Sequence, residues 1–408
     1  MKGKLLKKII YIGNFNLPDN DASAIRVLNN AKVFNELGYE CICIDKKQDV
    51  DEDILQTFKK LSEGISYYSA KYPQNSKEWL IELIDIRKYY KVIERYIEEL
   101  DSVIFYDYHA LPTLKLKRML KKYNVRIYCD ITEWYSSSVG GLIYRIVKKI
   151  DTIVRMRYVN RKVDGLIVIS DYLKEYYKDK IRNIIQIPPL VDINEIDLKF
   201  EKADTEFHKK KLIYAGIPFD VNREIKNFKG IKDRIDLIID VLFSLKENAH
   251  EFEFNIFGIT KAEYLKTFEY HRETLSKLES NVYFHGRVSH SEVIKNLKIS
   301  DFMILFRDNT RVSKAGFSTK LVEGITYGIP IITNVNTDIT RYLKEGKNGY
   351  LVDLNNRERC LDKLEQLMKL DDEVIRNMKQ INSKSNIFSH KNFLIEFQKL
   401  LKYIKTEN

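Results

Sequence analysis

With 408 residues, 44% of them hydrophobic and 31% charged, the chain suits two soluble globular domains of about 200 residues each, both large enough for a core. It holds no run of about 18 apolar residues, so no membrane-spanning helix is expected. A net charge of +11 admits nucleic acid, an anionic membrane surface or phosphorylated substrates as partners, and equally a merely lysine-rich composition. No helix-turn-helix, zinc-finger or RNP-type signature occurs, which sets nucleic acid aside.

The opening MKGKLLKKIIYIG places lysines before an apolar stretch too short for a signal peptide, with no small-residue cleavage site after it. It reads as a basic lead into a buried strand at 7–13 of a cytoplasmic protein. The loop GNFNLPDNDAS, a helix from about Ala24 to Leu37 and a strand at 39–45 follow. Strand, loop, helix and strand in that order signal a parallel α/β unit, which binds ligands at the carboxyl ends of its strands. The loop contains no G-x-G-x-x-G and so is no dinucleotide fingerprint. Arg26, at the helix start, either reaches the ligand end or forms a surface salt bridge. Cys41, Cys43, Cys129 and Cys360 fit neither a zinc set nor a disulfide framework. Asp49-Val50-Asp51 spells a D-x-D, but inside the charged run DKKQDVDED, with no strand after it, it reads as solvated loop. No other carboxylate–histidine cluster suggests a metal.

A long polar helix is expected over 76–99 and a strand over 101–106, followed by YDYHALP. His109 there stands at a strand end, as a candidate for chemistry or as a structural histidine. A basic helix over 111–122 leads to the strand RIYCD and then to Asp130-Ile131-Thr132-Glu133-Trp134-Tyr135. Carboxylates orient hydroxyls and aromatics stack on sugar faces, so this string reads as an acceptor site. Glu133 is the candidate for the acceptor hydroxyl and Asp130 its neighbour. The alternative has Asp130 cap the next helix and leaves Glu133 on the surface. Within 139–162, Leu142, Ile146, Ile150 and Ile153 recur at near-helical spacing among many Arg and Lys. Such a helix lies on an anionic bilayer or packs its stripe into the domain. A strand at 164–169, a helix and a strand through Ile184 to Ile187 complete a first domain at 1–190, and Pro188-Pro189 opens a linker.

The second domain, 191–387, starts with the strand KLIYAG, ending at Gly216. Arg223, Lys226, Lys229, Lys232 and Arg234 then precede or open a helix from about Lys232, which favours a diphosphate. Further strands are expected at 252–258, in the run to Phe284-His285-Gly286-Arg287-Val288, at 301–306 and at 349–353. Arg307, after the third of these, touches phosphate or pairs with Asp308. The stretch 311–334, RVSKAGFSTKLVEGITYGIPIITN, opens with a turn segment whose Gly316 lets the backbone approach a ligand. Ser318 or Thr319 caps a short helix whose N-terminus favours an anion, and Lys320 adds a charge one turn on. Glu323 shares the face of Thr319, where it can accept hydrogen bonds from a sugar diol. Phosphate at a helix start and ribose beside a carboxylate describe a nucleotide site. An amphipathic helix from about Phe388 to Ile404 closes the chain.

The stretch 311–334 resembles the nucleotide-sugar site of retaining glycosyltransferases of family 4, and more closely the branch of bacterial capsule and cell-surface polysaccharide pathways. That family carries two glutamates with seven residues between them, the first just before a Gly-Phe pair. Gly316-Phe317 match the pair and Glu323 the second glutamate; Ala315, after Lys314, stands where the first would contact the donor sugar. The string at 130–135 resembles the same branch, in the part that meets the acceptor. The resemblance implies an α/β, GT-B fold: two doubly wound Rossmann-like domains facing an interdomain cleft, with 388–408 returning to the first. On the second it implies a donor site of Arg223, Lys232, Arg287, Val288, Arg307 and the run Lys314, Ala315, Gly316, Phe317, Ser318, Thr319, Lys320, with Glu323. Lys232 would hold the pyrophosphate, and Arg287 and Val288 would touch the base. Arg26, His109, Asp130, Glu133, Trp134 and Tyr135 form the implied acceptor side. The implied reaction moves a sugar from a nucleotide diphosphate sugar to a hydroxyl of a lipid-linked glycan, with retention and with neither metal nor other cofactor. Because Ala315 replaces a sugar-contacting glutamate, a non-catalytic GT-B subunit that binds a partner glycosyltransferase or acceptor stands as the alternative. A nucleotide-sugar epimerase ranks last, for want of a carboxylate pair flanking the sugar in the second domain.

Overall fold

The computed structural model describes residues 6–18, 21–134, 141–193, 209–221, 231–335 and 338–402. The chain forms two compact units: Met1–Asp192 with Ala315–Phe317 and Phe388–Asn408, and Ile193–Lys314 with Ser318–Ile387.

The first unit carries strands β1 (Lys8–Gly13), β2 (Glu40–Lys47), β3 (Lys59–Ser62), β4 (Ile65–Lys71), β5 (Leu100–Tyr106), β6 (Arg126–Ile131), β7 (Gly165–Val168) and β8 (Ile184–Gln186). Their order is β3-β4-β2-β1-β5-β6-β7-β8, parallel throughout except for β3 against β4. Both faces are covered, so β1 is apolar at successive residues: Ile10 and Ile12 join one buried cluster, Ile9 and Tyr11 the other. The final helix, Leu394–Lys402, belongs to this unit, with Phe397 edge-on to Phe34 at 4.8 Å.

Two expectations for 46–100 are corrected. The single helix over 76–99 is two, Ser76–Glu82 and Arg87–Arg95. The break follows from the buried pair of Glu82 with Lys46 at 2.7 Å and from Asp85, whose carboxylate accepts from the Arg87 amide at 3.0 Å. The D-x-D is followed by the hairpin β3–β4, and Asp51 pairs at the surface with Lys71 of β4 at 2.6 Å.

The second unit carries β9 (Lys210–Ala215), β10 (Phe252–Phe257), β11 (Val282–Gly286), β12 (Phe302–Leu305), β13 (Ile331–Asn334) and β14 (Gly349–Val352). All are parallel, in the order β11-β10-β9-β12-β13-β14. Each sheet reverses direction once, beside β1 and beside β9, and ligands of doubly wound sheets gather at the carboxyl ends of strands at such a point. The helix expected from Lys232 starts three residues later, as Ile235–Glu247. The expected turn before Gly316 is a short helix, Arg311–Ala315. Ser318 caps the helix Thr319–Thr326, its side chain accepting from the Leu321 amide at 3.4 Å.

Candidate functional site

At the carboxyl edge of the first sheet, Asp130 is the next-to-last residue of β6 and has no exposed surface. Arg26 grips it through Nη2 at 2.8 Å and Nε at 3.1 Å, Asn30 donates to it at 3.2 Å, and the Tyr11 hydroxyl donates as well. Arg26 is itself only 3% exposed, and its Nη1 donates to the carbonyls of Ile187 at 3.0 Å and Pro188 at 3.2 Å. The bridge expected at the surface is therefore a buried one. Neither Asp130 nor Arg26 presents a polar atom to a ligand, and Asp130 caps no helix; the pair ties β1, β6 and the chain after β8 together.

A second acid at this edge, Asp107, is one that the sequence alone did not single out. Asp107 follows β5 at φ 41°, a left-handed conformation uncommon for a residue other than glycine, and its amide donates to the Asp130 carbonyl at 2.9 Å. Its carboxylate accepts from the Thr132 amide at 3.2 Å, from the Thr132 hydroxyl, and from Arg155 at 3.2 Å. Burial raises this carboxyl more than Arg155 lowers it, leaving it at about 6. Its position directly after the apolar run VIFY at 103–106 was the available signal, overshadowed by His109 two residues on. Glu133 lies half-buried just beyond Thr132.

Trp134 is buried and meets Tyr176 and Tyr172 edge-on at 4.9 and 6.4 Å, so its ring packs the core instead of offering a face to sugar. His109 stands 3.3 Å from Asp151, whose other oxygen accepts from the Ala110 amide at 2.9 Å. Burial raises the Asp151 carboxyl, and these bonds more than offset it, holding it below its usual range. Asp151 and Arg155 both belong to the helix Leu142–Arg157. The opposite side of that helix leaves Leu142 71% and Ile143 75% exposed, with Ile146, Ile150 and Ile153 exposed after them, so the stripe is not packed inward. Tyr135 lies outside the described residues.

In the second unit the centre is Asp233, between Lys232 and the helix Ile235–Glu247, with a side chain 1% exposed. It accepts from the Tyr214 hydroxyl at 2.8 Å, Arg307 Nε at 2.7 Å and Lys320 Nζ at 2.9 Å. Burial raises the Asp233 carboxyl, but Lys320 and Arg307 outweigh it and hold it far below the usual carboxylate range. Arg307 thus pairs with Asp233, while Asp308 takes Arg234 at 2.7 Å. Lys320 lies across the end of β9: a Cβ on Gly216, which has φ 137°, would stand 2.1 Å from Lys320 Cε. Lys232, which precedes Asp233 in the chain, is exposed.

Glu323 faces His290 at 3.4 Å, and Arg287 and Val288 are exposed at the end of β11. Lys314 and Thr319 flank the turn, half-buried and exposed. Ala315–Phe317 group with the first unit, which corrects their expected place in the second. Ala315 is fully buried in a hydrophobic cluster of that unit, and its carbonyl accepts from Ser170 Oγ at 2.8 Å. Gly316 is half-buried, and Phe317 packs on the same cluster. Arg223 lies outside the described residues, as do Lys226 and Lys229. Among the described residues no group of three or more His, Cys, Asp or Glu side chains is placed to hold a metal ion, and no helix is long and apolar enough to cross a membrane.

Residues 230–385 match the family described as glycosyl transferases group 1, so the second unit carries that domain. Solved structures align with the chain over nearly its whole length. The sucrose-phosphate synthase of Thermosynechococcus elongatus is 12% identical at a TM-score of 0.66, covering 97% of this chain and 98% of that one. A glycosyltransferase from Rickettsia africae is 15% identical at 0.65, with 99% and 100% covered. Anabaena HepE in complex with UDP and glucose is 12% identical at 0.60, with 98% and 100% covered. The fold is accordingly α/β of the GT-B kind, with two Rossmann-like sheets. A search of curated protein sequences finds no match.

Proposed function

We propose that the protein is a retaining glycosyltransferase of family 4 type. It moves a sugar from a nucleotide diphosphate sugar to a hydroxyl of a lipid-linked glycan in bacterial capsule or surface polysaccharide synthesis. The observation that carries this reading is the cation pair of Arg307 and Lys320 on Asp233 at the end of β9, with Lys232 next to Asp233 in the chain, within the segment that matches glycosyl transferases group 1. The bond from the anomeric carbon to the diphosphate oxygen breaks as the acceptor oxygen bonds to the same face. The departing diphosphate takes the acceptor proton, and the three cations stabilise its growing charge in place of a metal. Glu323 receives the ribose hydroxyls, Arg287 and Val288 flank the base, and Ser318 and Thr319 present the helix start to phosphate. Glu133 and His109, both after strands of the first sheet, orient the acceptor hydroxyl. The exposed stripe Leu142, Ile143, Ile146 and Ile150, among Arg145, Lys148 and Lys149, supports a cytoplasmic protein resting on the inner face of an anionic membrane.

One observation favours a second reading. Ala315 is packed inside a hydrophobic cluster, where the family's first glutamate would be buried, so a non-catalytic subunit is the rival. Calorimetric titration with UDP, GDP, ADP and CDP in EDTA separates the two. One nucleotide is expected to bind at micromolar level and to lose about tenfold or more on Lys232→Ala. Silence from all four overturns the enzyme reading. For the surface, wild type is expected to sediment with phosphatidylglycerol vesicles and Ile146→Glu/Ile150→Glu not.

A further inference from the structure

We infer that Asp233 is a positioning residue for the donor diphosphate: it fixes Arg307 and Lys320 in one arrangement, although its own charge repels the anion they receive. The inference rests on the donor reading above and names a group which that reading leaves out. Four separate segments meet at this one carboxylate, its own included. Tyr214 comes from β9, Arg307 from the end of β12, Lys320 from the first turn of Thr319–Thr326, and Asp233 precedes Ile235–Glu247.

Arg307 is fixed at its backbone too, donating to Asn334 Oδ1 at 2.9 Å while its carbonyl accepts from Asn334 Nδ2 at 2.8 Å. Its bond to Asp233 uses Nε, so the fork of terminal nitrogens that suits phosphate oxygens is not spent on the carboxylate. Lys320 is steered over the backbone of Gly216, in contact range of the Tyr214 ring at 5.6 Å. Arg307 and Lys320 keep 12% and 17% of their side chains exposed, while Asp233 keeps 1%. The carboxylate is thus hidden and its cations are presented. Two positive charges around one negative leave a net positive site, and long flexible side chains lose less freedom on binding when already held in place.

The sign of one substitution separates positioning from simple charge. Asp233→Asn removes a negative charge beside an anion site, so Coulomb's law alone makes pyrophosphate bind more tightly. Positioning predicts the reverse. Calorimetry of wild type and variant with inorganic pyrophosphate, and with the nucleoside diphosphate that wild type prefers and its monophosphate, reads the difference. The expected result is a loss of about tenfold or more for pyrophosphate and diphosphate, with preference for diphosphate over monophosphate reduced. Loss of stability alone would not move that preference. Equal or tighter binding overturns the inference. Tyr214→Phe keeps the carboxylate and removes one of its bonds, and carries the test if thermal melting shows Asp233→Asn unfolded. A folded Tyr214→Phe is expected to lose about threefold in pyrophosphate affinity, by roughly half the worth of a charged hydrogen bond. Unchanged affinity there also overturns the inference. If wild type binds neither pyrophosphate nor any nucleotide, the donor reading itself fails.

Discussion

β1 reads KIIYIG, and β9 with the glycine that follows it ends in KLIYAG; in each the tyrosine hydroxyl donates to a buried aspartate at the carboxyl edge of its sheet, Asp130 in the first unit and Asp233 in the second. The two edges then diverge in what they do with the cations. Arg26 is buried with Asp130 and gives its remaining donors to the carbonyls of Ile187 and Pro188, so the first cluster is closed on itself. Arg307 and Lys320 stay partly exposed around Asp233, so the second is open. The same local pattern, apolar strand, tyrosine and glycine, therefore serves stability in one sheet and presentation in the other. What differs is the exposure of the partners, set by elements distant in sequence.

The largest expected effect breaks the closed cluster. Arg26→Ala leaves Asp130 as a buried carboxylate without its cation, which typically costs about 3–5 kcal/mol. Urea unfolding is expected to show that loss, while a preparation that remains folded binds pyrophosphate as wild type does. Loss of binding in folded protein would mean that the two edges are not independent.

The acids also titrate in opposite senses, which sharpens the comparison. Asp107 is held up at about 6, so the folded protein keeps a proton that the unfolded chain releases near its ordinary value of 3.8. Its contribution is full below about pH 4 and falls as pH rises to about 6, by about 3 kcal/mol at most. Asp233 lies far below its ordinary value, so its contribution is present above that value and is lost only as the medium becomes strongly acid. Asp107→Asn is expected to flatten the slope of unfolding free energy between pH 4 and 6, and denaturant midpoints across that range check it. An unchanged slope would place the proton elsewhere.

Much of this architecture was legible because the buried strands are rich in apolar residues: KIIYIG, LDSVIFY and FEFNIF are strands as expected. The hairpin β3–β4 was not, since an edge strand reading KKLS has no apolar alternation to show. Periodicity placed Leu142, Ile146, Ile150 and Ile153 on one face, but spacing alone does not say whether a face is covered. Trp134 illustrates the converse, since an aromatic beside a carboxylate looks like a sugar platform until Tyr172 and Tyr176 are seen against its ring. Asp107 and Asp233 were missed for one reason. A lone acid acquires its role from partners 25 to 87 residues away, Thr132 and Arg155 for the first, Arg307 and Lys320 for the second.

Lys320→Ala tests the open cluster more gently. Asp233 keeps Arg307 and Tyr214, so it is not left without a cation, and stability should fall less than in Arg26→Ala. Pyrophosphate affinity is expected to fall about 10- to 100-fold, the worth of a charged hydrogen bond, by calorimetry in EDTA.

The smallest effects come from the glycines at the carboxyl ends of the two tyrosine strands, Gly13 as the last residue of β1 and Gly216 just after β9. A Cβ on Gly13 would meet the Tyr106 carbonyl oxygen at 2.8 Å and its Cβ at 2.7 Å, so backbone has to move. Gly13→Ala is expected to cost about 1–3 kcal/mol and leave pyrophosphate binding unchanged. The atoms nearest to a Cβ on Gly216 all belong to the far end of the Lys320 side chain, though at φ 137°. Lys320 can swing aside, so Gly216→Ala is expected to cost about 1 kcal/mol, mostly backbone strain, in thermal unfolding. The displaced ammonium should weaken pyrophosphate by a few-fold in the same preparation. If the two alanines instead behaved alike, stability lost and binding kept, the cations of the second edge would be as structural as Arg26, and the contrast between the sheets would collapse.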